Sequence, residues 1–68
     1  MVDITKMKYA DMVEMGKSTN DKELLQQMID RINYNIFIEE MAEFLDWDAY
    51  NELRYDVSIL EKRLKEIE

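Results

Sequence analysis

The sequence predicts an all-α protein: a short N-terminal helix followed by a long antiparallel helical hairpin, paired as a homodimeric helical bundle. Three observations carry this expectation. The chain has no proline and one glycine in 68 residues, and is rich in Met, Leu, Glu, Lys and Gln, which favours helix almost everywhere. Between Asp48 and Glu68, the apolar residues Tyr50, Leu53, Val57, Leu60, Leu64 and Ile67 step by three and four without a miss, forming an a/d heptad seam. A chain of this length with no cysteine buries a small core without a covalent staple. Self-association is then the expected source of further stability.

We expect one domain, residues 1–68, with helices at about 4–15, 21–45 and 48–67. Asp3 is the expected cap of the first helix. That helix has apolar residues on more than one side, a pattern that suits a groove between other helices. Gly16 is the expected stop, in a left-handed cap conformation, with Lys17 favourable beside the negative end of the helix dipole. Asn20 followed by Glu23 has capping-box spacing for the second helix.

The second helix changes face halfway. At 100° per residue, Leu25, Met28, Ile29, Ile32 and Ile36 fall in one sector, and Tyr34, Phe37, Ile38, Met41, Phe44 and Leu45 in another, roughly opposite. Asn33 and Asn35 are weak helix formers. With no proline or glycine there, a continuous helix is expected, one face meeting its own chain and the other a partner chain. Tyr34, Phe37 and Met41 are therefore assigned to the dimer contact. Asp46 or Asp48 is expected to cap the third helix. Phe44, Trp47 and Tyr50 are read as a hydrophobic plug at the bend. Tyr55 and Ile59 lie off the seam and widen the apolar face beyond a two-stranded coiled coil. Glu61 and Lys65 stand in the favourable i,i+4 order.

The formal net charge is −7, and it is unevenly spread. Residues 39–56 carry seven acids (Glu39, Glu40, Glu43, Asp46, Asp48, Glu52, Asp56) against one base, Arg54, whereas residues 1–38 hold six acids and five bases. This argues against nucleic acid or an anionic membrane as a direct partner and suits a basic protein surface. The solvent face of the third helix is acidic or neutral, which sets aside a helix-turn-helix reading. The chain has no histidine, so the usual general base and histidine metal ligands are missing. Its longest apolar run is Ile36-Phe37-Ile38, too short for a membrane span or signal-peptide core. A cytoplasmic setting with no cofactor is the expectation.

Glu39, Glu43 and Asp46 line one side of the second helix; Asp48, Glu52 and Asp56 line one side of the third. A hairpin brings both rows to its closed end, with Glu40 and Trp47 beside them. The functional reading is a docking surface for a basic protein, one that normally binds nucleic acid; the plainer reading is a solvated face that keeps a small protein soluble. As mimicry of a duplex the charge is sparse. Helix-face neighbours lie about 5–6 Å apart, against ~1.7 Å of axis per charge in DNA.

Glu39-Glu40-x-x-Glu43 followed by Glu52-x-x-x-Asp56 resembles the acidic rows of MazG-like nucleotide pyrophosphohydrolases. Those all-helical proteins hold magnesium on an EExxE row and a later ExxD row. The resemblance implies a carboxylate-bound metal and nucleotide hydrolysis. Here the second row is ExxxD and the gap between rows is short. The chain also lacks room for the family's four-helix subunit and basic phosphate contacts.

The methionines Met7, Met12, Met15, Met28 and Met41 are read as gap-fillers of a small core, with a pliable binding groove as the alternative. The expected function is a small acidic non-enzymatic regulator that binds and inhibits a protein through the acidic hairpin end, in the style of phages and mobile elements. The alternative is an oligomerisation module using the third-helix seam. The metal-dependent hydrolase stands third.

Overall fold

The computed structural model describes residues 6–68. Asp3, the expected cap of the first helix, lies outside them. The described residues form three α-helices and no strand: α1 (Tyr9–Ser18), α2 (Lys22–Met41) and α3 (Trp47–Ile67).

Helix α3 follows the heptad pattern closely. Leu53, Val57 and Leu60 are buried, and Tyr50, Leu64 and Ile67 pack partly buried against the same core. Asp46 caps the helix, accepting a hydrogen bond from the Ala49 amide at 3.2 Å. Tyr55 and Ile59 do not widen the buried face. Tyr55 is exposed, and both line a shallow groove with Lys17, Lys62, Arg63 and Glu66. Ion pairs among the described residues join Lys17 to Glu14 and Arg63 to Glu66; the expected Glu61–Lys65 pair is not among them.

Helix α2 is continuous through Asn33–Asn35. Asn35 turns its amide Nδ2 back onto the Arg31 carbonyl at 3.0 Å, a local side-chain bond to the preceding turn. The first apolar sector is the buried one: Leu25, Met28, Ile29, Ile32 and Ile36. With Met12, Leu53, Val57 and Leu60 they make one core cluster, and no buried residue is polar or charged among those described. Gln26, Ile29 and Asn33 share a groove with Glu61, Leu64 and Lys65.

Two ends of α2 differ from expectation. Its cap is Asp21, whose carboxylate accepts from the Leu24 amide at 3.1 Å, in place of an Asn20–Glu23 box. Asn20 is engaged elsewhere, its side-chain oxygen accepting from Arg63 at 2.8 Å. At the other end the helix stops at Met41, with Ala42 extended at φ −69°, ψ 145°, instead of reaching Leu45. Phe44, beyond the stop, is 85% exposed. Glu39, Glu40 and Glu43 crowd the negative end of the helix dipole, with no base in the last turn to offset them.

Helix α1 begins later than expected, at Tyr9, and ends later, at Ser18, because Gly16 continues the helix instead of stopping it. Gly16 is buried in the final turns, and no described glycine has positive φ. Its role is close packing. A Cβ at Gly16 would run into the side chain of Leu60, and would stand 3.4 Å from a methyl of Leu25. The missing side chain is what lets α1 settle onto α3. Met12 and Met28 are fully buried, and Met7 and Met15 pack at the core's edge, so these four methionines fill gaps. Beyond α1, Arg63 donates from Nε to the Thr19 carbonyl at 3.1 Å as well as to Asn20, fastening the α1–α2 connection to α3.

Alanine for glycine inside a helix ordinarily gains up to about 1 kcal/mol, whereas overpacking a filled core costs about 1–3 kcal/mol. Gly16→Ala is therefore expected to lower stability by about 1 kcal/mol in urea melts. In a Leu60→Val background, which lacks the δ carbons, the same change should become neutral or stabilising. A stabilising Gly16→Ala in the parent chain would contradict the packing role. Arg63→Ala should cost about 1 kcal/mol and speed hydrogen exchange of the α1 amides. Arg63→Lys should recover less than half of the loss, since one ammonium does not reproduce the guanidinium fork.

Candidate acidic docking site

The seven acids of residues 39–56 are divided by the fold into two groups. Glu39 and Asp56 are half-buried, and with Glu52 they line a groove of about 250 Å³ between α2 and α3. The rest of its wall is Tyr9, Asn35, Ile38, Ala49 and Leu53. Glu40, Glu43, Asp46 and Asp48 are exposed around the α2–α3 connection. Asp46 is also structural, since its carboxylate caps α3.

The electrostatics of the groove are concentrated at Asp56. Partial burial, and then the negative charge of Glu52 one turn away, push the Asp56 carboxyl above its ordinary value of 3.8. No base offsets this. Arg54, the one cation in residues 39–56, stands over the Tyr50 ring with its guanidinium carbon 5.9 Å from the centroid. The ion pairs among the described residues involve none of the seven acids. No three acids among the described residues are grouped so as to hold a metal ion.

The second apolar sector of α2 borders this groove. Tyr34, Phe37 and Met41 are 59%, 58% and 72% exposed, and Ile38 is exposed with them. They recur at i, i+3, i+4 and i+7, which makes one stripe along the helix. The aromatic plug is not formed. Trp47 is 63% exposed and Phe44 more so; Trp47 meets Tyr50 edge to face, with centroids 5.9 Å apart, and of the three only Tyr50 packs against the core. The bend presents its aromatic residues outward because α2 ends early and the chain leaves the helix axis before Phe44. The α3 seam residues, by contrast, are used inside the chain.

Sequence reasoning named Glu39, Glu52 and Asp56 and missed Tyr9, Asn35 and Ala49 as groove residues. Tyr9 comes from the start of α1, and its place depends on where α1 packs, which no local pattern encodes. Asn35 and Ala49 are small polar or apolar positions with no signal of their own. Comparison with protein-family models, with curated proteins and with solved structures finds no match for the chain. No helix among the described residues is long and apolar enough to cross a membrane.

The pH dependence of Asp56 follows from its raised carboxyl. A raised pKa in the folded state means that the protonated form favours folding and that this contribution is lost as pH rises through the folded value. At neutral pH the ionised Asp56 is a small liability. Asp56→Asn should stabilise the protein at pH 7, and the gain should fade as pH drops below the ordinary aspartate range. Denaturant melts of both proteins from pH 3 to 7 read this; a destabilised variant at pH 7 would show that the carboxylate is favourably engaged.

Proposed function

We propose that the protein is a small acidic, non-enzymatic regulator that binds another protein and inhibits it by covering a basic, nucleic-acid-binding site. In this reading α2 and α3 run as an antiparallel hairpin, and the acids at its closed end are the contact. The observation that supports it is the uncompensated charge of Glu39, Glu40, Glu43, Asp46, Asp48, Glu52 and Asp56. Their one neighbouring base, Arg54, is committed to an aromatic ring. A face whose only task is solubility gains nothing from such segregation, since mixed charges serve solubility as well. Exposed Trp47, set between Asp46 and Asp48, supplies the aromatic anchor that interfaces favour.

A second reading has an observation of its own. The exposed stripe of Tyr34, Phe37 and Met41 is the surface through which two copies would pair as a homodimer with a four-helix core. Because the α3 seam is filled within the chain, assembly would run through α2.

The acidic reading is tested by capture and salt. Basic proteins retained from a lysate on the immobilised chain at low salt should be released steeply as ionic strength rises and the Debye length falls below about 10 Å. Excess duplex DNA should displace them. The variant with Glu39, Glu43, Glu52 and Asp56 changed to Lys, checked for retained helix by circular dichroism, should capture none of them. Equal retention by that variant would reduce the acids to a soluble surface.

A further inference from the structure

We propose that the α2 stripe and the adjoining α2–α3 groove form one receptor for an amphipathic basic helix of the partner: its apolar ridge lies along Tyr34, Phe37, Ile38 and Met41, and one of its arginines or lysines enters the groove between Glu39, Glu52 and Asp56. The inference rests on the acidic docking reading above and deepens it by giving the occupant's chemistry.

Continuity joins the two parts. Ile38 belongs to the exposed stripe and also lines the groove, so apolar ridge and acidic cleft share a wall. The stripe runs over eight residues, Tyr34 to Met41, about 10 Å of helix axis. A ridge of that form is met by an element with the same i, i+3, i+4, i+7 repeat, which is a helix. The groove matches a particular side chain. Ile38, Ala49 and Leu53 offer apolar wall, and Glu39, Glu52 and Asp56 offer carboxylates. A long side chain with a hydrocarbon stem and a cationic head satisfies both at once. The mutual repulsion of Glu52 and Asp56, unrelieved within the chain, falls when a cation enters.

Charge decides between this occupant and a second copy of the chain. Asp30 stands one turn ahead of Tyr34, and Glu39, Glu40 and Glu43 stand beside and beyond the stripe. Arg31, the base nearest to it in the sequence of α2, is half-buried. A pairing of stripe on stripe would bring the acid-rich rims of two copies together, and like charges across an interface are costly. A helix carrying bases on either side of an apolar ridge turns the same rim into attraction.

The test uses a synthetic four-turn helix of leucine and arginine with one apolar ridge, its sequence-scrambled isomer, and a counterpart with glutamate for arginine. Each is titrated into isotopically labelled protein at low salt and followed by amide shifts. The ridge-bearing basic peptide should bind one to one, with shifts concentrated at Ile38, Ala49 and Leu53. Ile38→Asp should weaken it about tenfold although it adds a negative charge, and Glu52→Gln should weaken it several-fold with the helix content unchanged. Equal binding of the scrambled isomer, or binding of the glutamate peptide, would overturn the receptor while leaving the acidic docking reading standing in the first case. If neither basic peptide binds, both readings fall. A protein that sediments as a dimer at tens of micromolar and becomes monomeric with Phe37→Glu assigns the stripe to a second copy and overturns the proposal.

Discussion

Three helices meet at Leu60. Its side chain is fully buried, it lies against the bare backbone of Gly16 on α1, and Gly16 in turn touches Leu25 on α2. The arrangement depends on one absent methyl group. A chain this small has few places where a third helix can add buried area, and here it does so by a close approach that glycine alone permits. Leu60 and Leu25 are fully buried, as are Met12, Met28 and Ile32, and all five belong to one core cluster, so the packing at Gly16 bears directly on the core that stabilises the chain.

Helix α2 separates two tasks by position. Its first half turns one face inward and closes the core. Its second half turns a different apolar face outward and places carboxylates where the first half kept isoleucine. Ile36 and Glu39, three residues apart, mark the handover: one is in the core and the other on the groove wall. Changes in the outward set can then alter that surface with little cost to folding, because Tyr34, Phe37 and Met41 are exposed and lie outside the core. Asp46 is the exception, since the same carboxylate both caps α3 and belongs to the acidic surface.

How much of this was legible in the sequence depends on the range over which each feature is determined. The α3 seam and the inward face of α2 are local periodicities, and the residues read as apolar sectors are the ones found buried. The outward stripe was equally visible, as was the segregation of charge. The helix ends were less legible, because the stop at Met41 reflects a balance of dipole, acids and missing packing that no single residue signals. Gly16 was misread for a plain reason: a glycine that ends a helix and a glycine that admits a neighbour look identical until the neighbour is known. The contact of Arg63 with Thr19 and Asn20 spans more than forty positions and has no trace in local pattern. Of the candidate site, the acids could be named, but their division into groove and rim could not, since it follows from how far apart α2 and α3 stand.

The Arg63 contact also bears on helix alignment. A heptad seam repeats under a slide of seven residues, so part of the interior would tolerate one: Leu53 would stand where Leu60 does and Tyr50 where Val57 does. The same slide would bring Asp46 to the place of buried Leu53. Asp56 would occupy the place of Arg63, setting a carboxylate against the Thr19 carbonyl instead of a donor. The interior opposes the slide at the start of α3 and the guanidinium opposes it near the end, so the register is checked at both ends of the helix.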